Sequence, residues 1–568
     1  MKNNFKLEAN IPFKILLLIL LAAALAFTYF FFATPLDRIF SERITGRLAF
    51  LFLVPTFFSF ILLFIWGLIL LVRNVKASRL AWILLIVLLV SHLMIKLTVL
   101  EKSPLRPVDE ADMVLKGKYV WNLILQQMIH GEKELYYPFR PHGHSLIIKT
   151  GGFFTPLTIN TAINVNIFAS TMIIFVVFLL SNVLFAREWL SILCALFTAV
   201  NPIFGLFSLS ADYSISALFY SLTADLFIAA YLRRGVRLFL LTGLVSLVLA
   251  MQSRPEYIMY PLVVLAYLFV MARREENGFL TPSLLIFLLA VPHFLMTCFF
   301  LKNHPVPNFI NDPANFVDES SFMAILTMAR ENLRGFPNWL KNNGTSSLLY
   351  VFSLIGIIEG IRRYRVQAFI LILPVIVLFI GILIGNTRSF ITITYSINFQ
   401  PYLCILSAIG IFSFARPLGA VNFNKIIVVS SVILSIVSSV WLYSQLRTEY
   451  PEKNYAPQNV PKSVIAPCII SEMNFLNKAG ASLNKHCMAI EKIQGFFEAA
   501  AGIKTFAVDN RVYYERYPCL YFYEGLGSLY ERVKAEIPPE RIEGMKKRYR
   551  LRLVNSATIC DEKVGIYL

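Results

Sequence analysis

The sequence has little charge. Only 15% of its 568 residues are Asp, Glu, Lys or Arg, where a soluble domain carries about 25%. That shortage excludes an ordinary soluble fold, because its counterpart is a 57% hydrophobic content gathered into long apolar runs. A spanning helix needs about 20 mostly apolar residues, and such segments recur along the chain. Other absences narrow the chemistry. There is no Walker-type or other Gly-rich phosphate loop, so no motif marks a nucleotide site. No C-x-x-C pair occurs, which argues against a zinc site built from the cysteines. No internal repeat of the kind found in many transporters stands out.

What is present is basic. The net charge of +18 would suggest a nucleic-acid partner on a soluble protein. Here it collects in short loops between apolar runs, as cytoplasmic Lys and Arg do, and no nucleic-acid partner is expected. The runs predict spans near 13–33, 48–72, 80–100, 157–184, 188–207, 213–232, 236–252, 256–272, 280–301, 345–361, 366–385, 390–413 and 424–446. The first run follows Lys2, Lys6 and Lys14 but is too long for a signal h-region, so it reads as an uncleaved span. With the N-terminus in the cytoplasm, inner loops hold Arg73, Lys76 and Arg79, then Arg233, Arg234 and Arg237, then Arg362, Arg363 and Arg365. That bias fits the alternation and places the C-terminus outside. The expected class is therefore an all-α polytopic membrane protein of about 13 helices, in a bacterial inner (plasma) membrane.

Residues 1–446 form the membrane domain, with long external segments at 101–156 and 302–344. Residues 447–568 are richer in charge and proline, long enough for a small external domain. Strand-like runs at Lys504–Val508 and Cys519–Tyr523 alternate with a helix-like run at Leu526–Glu536, which predicts a small α/β fold. Cys194, Cys298 and Cys404 fall in spans as small apolar residues. Cys468, Cys487, Cys519 and Cys560 fall in the tail, where an oxidising compartment would allow two disulfides in any of three connectivities.

The first external segment carries the densest chemistry. Asp109 and Glu110 open a stretch whose apolar residues (Met113, Val114, Val120, Trp121, Ile124, Leu125 and Met128) recur at helical spacing. This predicts an amphipathic helix on the outer membrane face. Two readings stand for Asp109: an N-cap, with Glu110 and Asp112 in the positive first turn, or a positioned carboxylate able to take a proton. Arg140, His142 and His144 follow around Pro141, as a solvated turn or as substrate ligands; i, i+2 histidines in a loop do not diagnose a metal. Arg254 lies between two apolar runs, either anchored at headgroups, paired with Glu256, or held for an anionic group. Arg388 poses the same choice in another outer loop, and Asp212 lies on the outer side in SLSADYS. Asp225 and His293 are intramembrane polar residues expected to pack inside the bundle.

The order of these features resembles a known family. An acidic pair leads a juxtamembrane helix; FRPHGHS follows; then come NPIFGLFSLSADYSISALFYSLTADLFIAAYLRR and LVLAMQSRPEYIMYPLVVLAYLFV. Over roughly residues 100–275 this is similar to the C-type glycosyltransferases (GT-C), especially the branch of protein O-mannosyltransferases and aminoarabinose transferases. The resemblance implies a sugar donor linked to a polyprenyl phosphate and attacked at the outer face by a lipid, glycan or protein acceptor. It implies Asp109 as general base with Glu110 beside it, and Arg254 and Arg140 toward the donor phosphate; Arg388, the outer-loop cation read beside Arg254, is a further candidate for that phosphate. It leaves His142, His144 and Asp212 for substrate contacts. No metal ligand set follows from it, though a divalent ion bridging Asp109 and the phosphate would suit the chemistry. The chain departs from relatives in two ways: Pro141-His142-Gly143-His144 replaces the usual Pro-Pro-aromatic, and two extra spans precede the catalytic loop. Rival classes are a transporter or flippase for an anionic or lipid-linked substrate, a lipid-linked glycan polymerase or ligase, and a scaffold. The clustering of charged candidates in outer loops, away from the midplane, favours the transferase over a transporter.

Overall fold

A helix ends where polar groups take over its unpaired backbone donors and acceptors, and in this chain those points fall close to the ends of the apolar runs. The computed structural model describes chiefly residues 49–75, 77–99, 143–154, 159–254, 260–272, 285–293, 347–385 and 397–415, with the strands of the tail. The chain enters through a π-helical turn, Ala49–Leu53, into α1 (Val54–Arg73) with Pro55 in its first turn. Next come α2 (Arg79–Met94), extended by a π-helical turn Ile95–Val99, and the short α3 (Gly143–Gly151). The core helices are α4 (Ile159–Phe185), α5 (Glu188–Val200), α6 (Pro202–Ser208), α7 (Ser214–Arg234) and α8 (Arg237–Met251). Then follow α9 (Tyr260–Ala272), α10 (Ser347–Arg363), α11 (Arg365–Gly385) and α12 (Gln400–Ala415).

Among the described residues, four helices are long and apolar enough to cross a membrane: α1, α2, α4 and α7. This is an integral membrane protein, and with the exception of 188–207 the predicted spans from 48 to 272 and from 345 to 413 each overlap a single α-helix. Of the predicted span 280–301, residues 285, 286 and 288–293 are helical. The spans at 13–33 and 424–446 lie outside the described residues.

One expected span is corrected. The run 188–207 is not a single helix, because α5 and α6 meet at a 60° bend. Pro202 has no N–H to continue the α5 ladder. Asn201 restarts the chain as an N-cap, its side chain accepting from Phe204 N at 3.0 Å. The Asn201 amide also donates to Gln400 Oε1 at 2.9 Å, which fixes the bend against α12.

Burial orders the helices from centre to rim. The apolar stretches of α7 and α4 are 89% and 83% buried, whereas that of α2 is 22% buried and faces the surroundings with Ile83, Val87 and Val90. Helix α7 packs on α8 and α4, and α4 packs on α5. Helix α1 lies against α7 and α8, with Phe60 edge-on to Tyr220 at 5.1 Å and Gly67 under the Phe227 ring. Ser78 caps α2 by accepting from Ala81 N at 3.2 Å, and its own N–H donates to Glu188 Oε2 at 2.6 Å, tying α2 to α5.

Helices α10 and α12 make the closest crossing. A side chain at Gly356 would fall on the Leu406 carbonyl oxygen, and one at Gly410 on that of Phe352. The backbones can therefore touch only because both positions lack a Cβ. Ser353 and Ser407 bridge the same seam at 2.7 Å, and Ser407 also donates to Leu349 O at 2.8 Å.

In the tail, strands β1 (Met488–Ile490), β2 (Thr505–Ala507), β3 (Tyr521–Glu524), β4 (Leu553–Ile559) and β5 (Glu562–Tyr567) form one mixed sheet in the order β2-β1-β3-β5-β4. Strand β1 pairs in parallel with β2 and β3; β5 runs antiparallel to β3 and β4. Two strands fall in the expected runs, while the β4–β5 hairpin was not expected. The tail cysteines and the helix-like run Leu526–Glu536 lie outside the described residues.

The seam predicts a graded response. Gly356→Ala should destabilise the detergent-solubilised protein by about 3 kcal/mol, the upper part of the usual overpacking range. Gly360→Ala, whose new methyl would lie 3.1 Å from Ala368 Cβ, should cost well under half of that. Thermal unfolding of both variants checks this; equal costs would contradict the seam.

Candidate functional site

Three pieces of chain meet at one end of the bundle: the link 209–213 between α6 and α7, the turn 252–254 after α8, and the start of α3. Gly143 opens α3 with its N–H donating to Gln252 O at 2.7 Å. A Cβ at Gly143 would lie 2.6 Å from that same oxygen, so only glycine permits this approach. His144 follows, buried, with Nε2 3.2 Å from Ala211 O and Nδ1 2.8 Å from Ser216 Oγ. A carbonyl only accepts, so Nε2 carries a proton and donates to Ala211 O, while Nδ1 shares a hydrogen bond with the Ser216 hydroxyl. Both ring nitrogens are thus engaged, and His144 pins α3 to the 209–216 segment.

Arg254 lies at the centre and is 0% exposed, so it does not reach out as a headgroup anchor. Its Nη1 donates to Ser214 Oγ at 2.5 Å, and its guanidinium carbon lies 4.9 Å from the centre of the Tyr213 ring. The Ser214 hydroxyl donates to Asp212 Oδ1 in a short hydrogen bond, and its backbone N–H donates to the same oxygen at 2.7 Å. Asp212 is also fully buried. Asn166 of α4 holds the segment from the other side, donating to Ser210 O and Asp212 O at 2.8 Å each. The arrangement is a buried carboxylate, a hydroxyl relay and a buried guanidinium in line. Burying such a cation costs several kcal/mol unless anionic or dipolar groups compensate.

The structure brings Arg254, Asp212 and His144 together. Asp109, Glu110, Arg140, His142, Arg388 and Glu256 lie outside the described residues. The predicted helix after Asp109 is helical at Val114, Gly117 and Val120, and that stripe is buried against protein; a Cβ at Gly117 would lie 3.0 Å from Ile148 of α3. Residues 114–120 are thereby joined to α3, whose start lies beside the turn that carries Arg254. Among the described residues, no three His, Cys, Asp or Glu side chains gather as a metal-ligating group.

Sequence reasoning missed several participants. Ser214 and Tyr213 adjoin Asp212 in the motif but carried no charge to draw notice. Lys96 is a lysine inside an apolar run, a legible signal, and is buried beside Ser208. Two polar layers run inward from the site. In one, Tyr257 donates to Asn398 Oδ1 at 3.1 Å; in the next, Tyr260 and Tyr402 donate to Asp225 Oδ2 at 2.7 and 2.5 Å. Asp225 is thus an interior packing partner, as expected of it.

With this geometry in hand, comparison identifies the fold. No family model matches the chain, and no curated protein does. Among solved structures, that of ArnT from Cupriavidus metallidurans bound to undecaprenyl phosphate matches with a TM-score of 0.52 at 11% identity, over 86% of this chain and 98% of that one. The apo state of the same protein matches with a TM-score of 0.50 over the same shares. The chain has a GT-C-like fold, as the resemblance implied, with a share of its own length left over beyond the matched part.

The relay makes its own prediction. Asp212→Ala should destabilise by about 3–5 kcal/mol, because it leaves a buried guanidinium short of its counter-charge. Adding Arg254→Met should recover most of that loss. Additive costs in the double variant would show that the two residues do not act through one network.

Proposed function

We propose that this protein is a membrane glycosyltransferase that moves a sugar from a polyprenyl-phosphate-linked donor to an acceptor hydroxyl at the outer face of the membrane. The observation that carries the reading is Arg254: a fully buried guanidinium, braced by Ser214 and Tyr213, in a chain with the fold of a protein crystallised with undecaprenyl phosphate. A buried cation at the end of a bundle is suited to an anion that arrives with a lipid tail.

The chemistry follows from the groups. The bond between the sugar's anomeric carbon and the phosphate oxygen breaks, and its electron pair leaves with the phosphate. Arg254 holds that growing charge in a water-poor site, where a fixed donor is worth about 10²–10³ in rate. Its planar fork can meet two phosphate oxygens at once. The acceptor oxygen forms the new bond to the anomeric carbon, and its proton passes to Asp109, a role worth about 10²–10⁴. Glu110 adjoins the base, Arg140 and Arg388 complete the cationic side, and His142 contacts substrate. Asp212 and His144 serve by holding the segment that presents Ser214 and Arg254. The lipid tail keeps the donor in the plane of the bilayer, which orients the reactants.

The test uses purified protein in nanodiscs with undecaprenyl-phosphate-linked mannose, glucose and aminoarabinose as donors, and chromatographic release of undecaprenyl phosphate as readout. Wild type should consume at least one donor. Asp109→Asn, which caps a helix as well as Asp, should lose at least about a hundredfold in turnover at unchanged thermal stability. Arg254→Lys should lose about a hundredfold while staying folded, since charge remains and the fork does not. Near-normal turnover by stable Asp109→Asn protein would exclude it as the base; protease clipping of the 233–237 loop but not of the tail in sealed, right-side-out cells would overturn the outer-face assignment.

A further inference from the structure

Lys96 is a second buried cation, and among the described residues it has no counter-ion. It is 4% exposed, at the end of α2, whose adjoining residues Met94 and Ile95 are 51% and 47% exposed. Its ammonium donates to Ser208 Oγ in a short hydrogen bond and lies 5.3 Å from the centre of the Phe204 ring. The Ser208 hydroxyl proton is already given to Gly205 O at 2.7 Å, so Ser208 faces Lys96 as a neutral acceptor. Among the described residues no carboxylate comes within ion-pair distance of Lys96. His92, one turn earlier on α2, is held by Ser170 at 3.3 Å and stacks on the same Phe204 ring. It adds no negative charge. An ammonium has three donors, and among the described residues one is taken, by Ser208.

The contrast with Arg254 gives the meaning. Both cations hang on one short stretch of chain: Lys96 on Ser208 at its beginning, Arg254 on Ser214 at its end. Arg254 is joined through Ser214 to Asp212, whereas Lys96, among the described residues, meets a hydroxyl and an aromatic face. A buried charge left in that state is costly to the empty protein and is satisfied by an anion from outside. The anion's route is set by α2: its exposed Ile83, Val87, Val90 and Met94 line the surface that ends at Lys96, so the group that arrives there along it is borne by a lipid.

We propose that Lys96, Ser208 and Phe204 form a second phosphate subsite, which holds a lipid-borne phosphate at the bilayer edge of the same 208–214 segment that presents Arg254. The proposal rests on the glycosyltransferase reading for its lipid, and the phosphate belongs either to the polyprenyl donor or to a phosphorylated lipid acceptor. No bond is made or broken at Lys96; its role is to bind and position.

The experiment measures binding of undecaprenyl phosphate and, separately, of dioleoyl phosphatidic acid to full-length protein in detergent by native mass spectrometry, with thermal stability of the lipid-free protein recorded alongside. Lys96→Met should leave the lipid-free protein as stable as wild type or more so, since a buried charge has been removed, and should weaken binding of at least one lipid about tenfold or more, the worth of one charge-assisted hydrogen bond. Lys96→Arg should retain most of the binding. Loss for undecaprenyl phosphate alone assigns the subsite to the donor, and loss for phosphatidic acid alone to a phosphorylated acceptor; either supports the subsite. If wild type binds undecaprenyl phosphate in an Arg254-dependent way while Lys96→Met binds both lipids as wild type does, the subsite is wrong and the transferase reading stands. If wild type binds neither lipid, both fall. A Lys96→Met protein that unfolds, with Lys96→Arg showing normal stability and Ser208→Ala binding both lipids normally, would make the lysine structural and overturn the proposal.

Discussion

The constraint on which the site depends is a guanidinium taken wholly out of water. Arg254 can be buried because Ser214, Asp212 and the face of Tyr213 compensate its charge. Each of those groups must in turn be fixed, and much of this end of the bundle serves that need. The Asn201–Pro202 bend lets α6 end so that 209–213 can turn beneath α4, where Asn166 holds it. The absence of a side chain at Gly143 lets α3 close on the turn after α8, and His144 locks that closure to Ala211 and Ser216. A charge that is expensive to bury has in effect specified the local fold around it.

Deeper in the bundle the same logic runs with hydroxyl donors in place of a guanidinium. Asp225 takes two tyrosine hydroxyls from α9 and α12, and Asn398 takes a third, so α7, α9 and α12 are joined by buried hydrogen bonds. The α10–α12 seam uses the other device open to a membrane protein, glycine against backbone with serines between. Together these fix α9 and therefore the turn that carries Arg254.

The helices were legible in the sequence because hydrophobic length is a strong signal and membrane spans have few alternatives. The bend at Asn201–Pro202 was written in the residues as a capping side chain before a proline, yet hydropathy averages over it. Arg254 and Asp212 were readable as charged residues beside apolar runs; their connection through Ser214 was not, because 42 positions of chain separate them and only the folding of α7 against α8 brings them together. Ser214 and Tyr213 were hidden because a hydroxyl relay and a ring face carry no charge. Lys96 was visible as a lysine within an apolar run, but its significance lies in having no carboxylate nearby among the described residues, which is a property of packing. In the tail, the strands at 505–507 and 521–524 followed from β-branched and aromatic runs, whereas the β4–β5 hairpin was obscured by its polar residues, Asn555, Ser556, Glu562 and Lys563.

The central claim is that a lipid phosphate enters the end of the bundle where Arg254 is buried. Photo-cross-linking with a diazirine-bearing polyprenyl phosphate, read by peptide mapping, addresses it directly. The account predicts labelling concentrated in segments 208–216 and 252–257, abolished when the phosphate is removed to leave the free polyprenol. Labelling spread over the outer faces of α1 and α2, and unchanged by loss of the phosphate, would contradict it.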